Sequence, residues 1–129
     1  MKQILMFIAM LGIGFAAGAQ TSAKKAEELI KFKEIKYNFG KIKQGAPVTH
    51  DFEFTNIGGT PLTIENATAS CGCTTPTWPQ QPIMAGKNEK IKAGYNAAAP
   101  GVFEKSIYVK VKGVDYPVEI KIAGEVVAN

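Results

Sequence analysis

Cys71 and Cys73 are the two cysteines of the chain, and they stand one glycine apart in Ser70-Cys71-Gly72-Cys73-Thr74, shortly before the single tryptophan, Trp78. Two thiols at this spacing admit three chemistries. They can join as a disulfide, because residues two apart in a bent chain bring their α-carbons into the roughly 4.4–6.8 Å range the bond requires. They can exchange that disulfide with the thiols of a partner, since strained or exposed disulfides are the labile ones. They can also offer two soft thiolates to copper(I), with Met84 or His50 as further donors.

The same spacing sets a limit on each reading. A ring this small closes almost no loop, so it stabilises far less than the ~3 kcal/mol assigned to a loop of about 15 residues. Exchange enzymes separate their cysteines by two residues, and no histidine, lysine or predicted helix start stands next to this pair to lower a thiol pKa. Two ligands one residue apart leave a metal shell incomplete, and the spacing is not that of a zinc site. The plainest expectation is a compact turn, oxidised or half-buried, in which Gly72 allows the bend. Gly72, Thr74 and Trp78 are then the loop residues that a partner would contact.

No other constellation suggests catalysis. His50 is the only histidine, no serine lies within motif reach of it, and there is no glycine-rich phosphate loop. The carboxylates of Asp51, Glu53, Glu65, Glu104 and Glu119 fall on the polar side of alternating segments. The expectation is a non-catalytic protein without a cofactor. Trp78 either plugs the core or anchors a partner. Asn66-Ala67-Thr68 matches a glycosylation acceptor, a match that is frequent by chance.

The compartment follows from the first residues. Lys2 precedes an apolar run from Ile4 to Ala17, and Ala17-Gly18-Ala19 supplies the small side chains that a signal peptidase reads. The run is short of the roughly 20 residues needed to span a bilayer. A leader over 1–19 is therefore expected, with no cysteine after it for lipid attachment and no membrane span in the mature chain. Export to the periplasm or beyond favours a disulfide over a cytosolic thiol pair.

With 46% hydrophobic and 20% charged residues, the 129-residue chain has the composition of one globular domain. Its formal charge of +4 becomes +3 when Lys2 leaves with the leader. Every basic residue is lysine, so the planar guanidinium fork that reads guanine edges and clamps phosphates is missing. Nucleic acid is not expected as a partner; another exported or envelope protein is. Lysines spread along strands instead mark solvated faces and guarded sheet edges.

The elements that would hold the thiol pair have period two. Residues 20–29 read as a loose tether, and 30–127 as the folded domain. Ile30 and Phe32, then Ile35, Tyr37 and Phe39 after a slip, mark a first strand bent near Glu34. Val48, His50, Phe52, Phe54 and Asn56 alternate cleanly against Thr49, Asp51, Glu53 and Thr55. Gly58-Gly59 is expected to turn this strand into a hairpin with 61–64. The thiol stretch, with Pro76, Pro79 and Pro82, reads as an irregular crossover. Ile91, Ala93 and Tyr95 mark another strand. Phe103, Ile107, Val109 and Val111 pair as a hairpin with Val118, Ile120, Ile122 and Val126. His50 and Lys105 interrupt apolar faces and belong near the rim. Six or seven short strands without helical period predict an all-β, immunoglobulin-like antiparallel sandwich of about seven strands.

At this point the chain resembles the bacterial domain of unknown function 1573 (DUF1573), a family of exported immunoglobulin-like domains. The resemblance runs from Ile30 to Val126 and is most specific at Ser70-Cys71-Gly72-Cys73-Thr74. Phe52-Glu53-Phe54-Thr55-Asn56 with Gly58, Pro61-Leu62-Thr63-Ile64, Gly101-Val102-Phe103-Glu104-Lys105 and Gly124-Glu125-Val126 support it. It implies architecture and compartment but no reaction. By analogy of fold, it also implies protein binding, often by strand pairing at a sheet edge.

Overall fold

The computed structural model describes residues 26–128. The leader expected over 1–19 and the start of the tether lie outside the described residues. The end of the segment read as a tether is packed. Ala26–Glu28 form a single 3-10 turn, Ala26 is buried, and the Leu29 N–H donates to the Ala26 carbonyl at 2.9 Å. An alanine is small enough to sit beneath the first strand, so the domain begins a few residues before its alternating pattern does.

Eight strands follow: β1 (Ile30–Phe32), β2 (Lys36–Lys43), β3 (Val48–Asn56), β4 (Ile64–Ala69), β5 (Thr74–Thr77), β6 (Asn88–Tyr95), β7 (Gly101–Val111) and β8 (Val118–Val127). They form two four-stranded sheets, in the orders β1-β3-β6-β5 and β2-β8-β7-β4. Their inner faces bury Phe52, Phe54, Ile91 and Ala93 against Ile107, Val109, Ile120 and Ile122. The Tyr95 and Phe103 rings stack across the sandwich at 4.0 Å. Each large apolar side chain so removed from water contributes roughly 1.5–3 kcal/mol. This is the sandwich that the alternation predicts, with one strand more.

The pairing departs from expectation in three places. The slip after Phe32 is a change of sheet: β1 pairs with β3, whereas β2 lies beside β8 and parallel to it. The Ile35 carbonyl accepts from the Lys121 N–H at 2.8 Å and locks that crossing. Next, β3 does not turn back on 61–64. Leu62 bridges Ile83, and β4 pairs with β7 in the opposite sheet. Finally, the proline-rich crossover contains a short strand, β5, antiparallel to β6. Pro76 is tolerated there because β5 is an edge strand.

Asn56 explains why β3 crosses instead of forming a hairpin. Its side chain is buried, so each polar atom needs a partner. The amide nitrogen donates to the Thr60 carbonyl at 2.9 Å and to the Ile83 carbonyl at 2.8 Å, while Oδ1 accepts from the Gly58 N–H at 2.9 Å. One side chain thus ties the departing loop to the segment after β5. A Cβ on Gly58 would stand 2.8 Å from Leu29 Cδ2, so a larger residue here would require the tip of the Leu29 side chain to move aside.

Replacing Asn56 with alanine leaves those loop groups unpaired at a buried position. The expected loss is about 2 kcal/mol or more, which for a domain of this size lowers the melting temperature by roughly 8–16 °C. A thermal melt of the variant within about 2 °C of the parent would contradict this account.

Candidate functional site

The thiol turn is built where the chain leaves one sheet for the other. At its start, the Ser70 N–H donates to the Ser106 carbonyl at 2.9 Å, and the Ser70 hydroxyl accepts from the Ser106 N–H at 3.1 Å, which extends the β4–β7 ladder by one residue. At its end, the Cys73 carbonyl accepts from the Asn96 N–H at 3.0 Å, which places the chain beside β6. Between them the Thr74 N–H reaches the Cys71 carbonyl at 3.4 Å. The turn is therefore fastened to both layers.

Within it the two sulfurs lie within bonding distance, with the α-carbons 5.3 Å apart. The Thr74 hydroxyl is 3.7 Å from the Cys71 Sγ and 3.8 Å from the Cys73 Sγ. Both cysteines are half-buried, and Cys73 packs against the core. Gly72 is exposed at the apex. Its backbone avoids the left-handed region, and a Cβ built there meets nothing within 4 Å. The bend therefore does not require glycine, contrary to the sequence reading.

The other predicted site residues are dispersed. Thr74 is buried, 4% exposed, which corrects its assignment as a surface contact: its hydroxyl faces the sulfurs. Trp78 is half-buried and packs on the core, the plug arrangement. Met84 is exposed and follows Ile83 on the loop that Asn56 holds, whereas the thiol turn abuts the Tyr95 end of β6. Met84 thus lies at the opposite end of the sandwich from the thiols.

His50 is also committed elsewhere. Its ring stacks on Tyr37 at 3.6 Å and meets Phe52 edge-on at 4.9 Å, while Nε2 pairs with Glu34. The histidine thus bridges the two sheets beside the β1–β2 crossing, half-buried like Lys105. Among the described residues no group of three or more His, Cys, Asp or Glu side chains is placed to hold a metal ion. Neither Met84 nor His50, the further donors considered for copper(I), is grouped with the thiols.

The site also has a feature that motif reading passes over. Residues 66–86 contain no Asp, Glu, Lys or Arg, and they form most of β4, the thiol turn, β5 and the loop beyond. The far edge of the β4 sheet is the reverse: β2 carries Lys36, Lys41 and Lys43. On the outer face there, Glu104 accepts from Lys36 at 3.0 Å and lies 3.4 Å from Lys121. The hydrogen bonds from Lys36 and Lys121, followed by the attraction of their charges, hold the Glu104 carboxyl below its usual range. Counting the strands on each side would have located this contrast in the sequence.

Comparison with known proteins follows the geometry. The sequence model of a family described as a protein of unknown function, DUF1573, matches residues 30–126. No curated protein matches the chain in sequence. Among solved structures, a protein of unknown function from Porphyromonas gingivalis W83 superposes with a TM-score of 0.66 at 17% identity, over 84% of this chain and 50% of that one. The chain thus spans about half that protein's length. The ASH or PapD-like domain 7 of human CEP192 superposes with a TM-score of 0.66 at 8% identity, covering 98% of this chain and 99% of that one. The YadV chaperone gives 0.55 at 18% identity, over 75% of this chain and 51% of that one. At these identities the likeness is one of fold.

Two outcomes follow. Replacing both cysteines with alanine costs no more than about 1.5 kcal/mol, because so short a ring removes little chain entropy; a loss of about 3 kcal/mol or more in urea unfolding would contradict this. For Glu104, a folded-state pKa held below the unfolded one means that the contribution is present above the unfolded value and fades as pH falls through the carboxylate range. Glu104→Gln therefore flattens the acid limb of the stability profile slightly. The difference disappears in ~1 M salt because the pairs are exposed; an acid limb identical to the parent's in low salt would contradict it.

Proposed function

The chain belongs to the DUF1573 family, and from that premise we propose that it is an exported, non-catalytic module that binds another envelope protein through its thiol turn. The observation that carries this reading is Gly72. Glycine at the apex of the turn answers no internal demand: its backbone is open to any residue, and the space around it is empty. A missing side chain at an exposed apex leaves the backbone open to something that approaches from outside. The turn it crowns is fastened to both sheets, so a partner would meet a surface already ordered, with little conformational entropy to lose.

In this reading Cys71 and Cys73 are joined, as export implies, and the bond serves to fix the shape of the apex. The likeness to a PapD-like domain and to a chaperone supports a binding role by analogy of fold. Among the described residues no helix is long and apolar enough to cross a membrane, which is compatible with an exported domain. The thiol-exchange or copper(I) alternative would draw on the same two sulfurs, but no observation of the site favours it over binding.

Two measurements test the proposal. Mass spectrometry of protein taken from the cell envelope and treated with an alkylating reagent should show no added groups without reductant and two with it. Full alkylation without reductant would remove the disulfide from the reading. For the partner, a photocrosslinking residue at exposed Thr75 should give a discrete adduct in intact cells. Gly72→Trp should abolish that adduct while leaving stability within about 0.5 kcal/mol of the parent. An adduct indifferent to Gly72→Trp would overturn the role of the apex.

A further inference from the structure

The four sheet edges of this sandwich are not equally open, and their differences can be read from the backbone. Along a strand, successive N–H and C=O groups point alternately to either side. On β5, the Cys73 carbonyl reaches Asn96, so Cys73, Thr75 and Thr77 face β6, whereas Thr74 and Pro76 face outward. The Thr74 N–H is taken by the Cys71 carbonyl, and Pro76 has none. The outer side of β5 therefore lacks a free donor, and strand addition there is blocked.

On β4, the Ser70 N–H faces β7, so Ala67 and Ala69 face outward; Ala67 is buried and Ala69 half-buried. The third edge, β1, is three residues long. The fourth, β2, is eight residues long. There the Ile35 carbonyl accepts from the Lys121 N–H, and the Gln44 N–H donates to the Val127 carbonyl. The same alternation on either side of the bulge turns Lys36, Asn38, Lys41 and Lys43 outward. All four are exposed.

Lysines along an edge repel most strands, and a second copy of this edge among them. They favour one kind of visitor. Lys36 is held by Glu104, but Lys41 and Lys43 have no acidic partner among the described residues. The edge thus offers outward backbone groups next to these two lysines.

We propose that the β2 edge receives an acidic, extended segment of another protein as an added strand. In that arrangement, carboxylates of the segment meet Lys41 and Lys43 on one face of the added strand, and its alternate side chains turn to the other face. The proposal goes beyond the thiol turn, which adjoins the opposite edge of the same sheet. It makes the domain a connector with two separate contacts.

The test uses the folded domain and a fluorescent octapeptide of alternating glutamate and valine, with its lysine–valine counterpart as control. The acidic peptide should bind at low salt and the basic one should not, with amide NMR shifts centred on residues 36–43. The double variant Lys41→Glu with Lys43→Glu should weaken binding at least tenfold. Lys41→Pro, which deletes an outward donor together with the charge, should weaken it several-fold more than Lys41→Gln, which deletes the charge alone, with the thermal melt retained. No binding of the acidic peptide, equal binding of both peptides, or binding indifferent to the charge reversal would overturn the proposal. None of these results bears on the Thr75 crosslink, so failure here is distinguishable from failure of the thiol-turn reading.

Discussion

Every connection in this domain except β5–β6 and β7–β8 passes from one sheet to the other, and each passage has to satisfy backbone donors and acceptors that have left a ladder. Unpaired polar groups at a buried crossing would cost about 1–3 kcal/mol each, a large share of the stability of a small domain. The structure answers locally. Asn56 supplies an amide for the β3–β4 passage, Ile35 a carbonyl for β1–β2, and Ser70 and Cys73 backbone groups for β4–β5. The thiol turn is ordered because it is one of these passages; the sulfurs are carried on a backbone that both sheets already hold.

That origin explains which features of the fold were legible in the sequence. Burial of alternating side chains is a period-two signal within one strand, so the inner faces of β3, β6, β7 and β8 can be read from Phe52, Ile91, Ile107 and Ile120 and their neighbours. Partner choice is different in kind. Gly58-Gly59 between two alternating runs looks the same whether the second run folds back or crosses, and the deciding group is an asparagine whose hydrogen bonds reach Ile83, far along the chain. The parallel placement of β2 beside β8 joins the two ends of the domain, and no local pattern carries that information.

The candidate site divides in the same way. The cysteine pair was legible because its residue types and spacing are chemical facts of the sequence. Gly72 is expected from the sequence to be what allows the bend, since the sequence does not state a backbone angle, and Thr74 is expected on the surface because a polar residue in a turn is usually exposed. The structure instead aims the Thr74 hydroxyl at the sulfurs and buries it. Trp78, half-buried beside the core, shows the ordinary fate of a large aromatic residue in a small sandwich.

The most instructive contrast lies between the two flanks. A sheet edge invites unwanted pairing, and natural proteins guard it either by charge or by removing donors. This domain uses a different means on each side: lysines along β2, and on β5 a proline with a donor diverted into the thiol turn. The uncharged stretch 66–86 therefore needs no lysine to keep its β5 edge unpaired, because the outward donors there are either absent, at Pro76, or already taken, at Thr74. A donor-depleted edge rejects every strand alike. A lysine edge is selective instead, since charge repels one class of partner and attracts another. The proline flank can then present a fixed shape at the thiol apex, while only the lysine flank retains the backbone groups that an incoming strand would need.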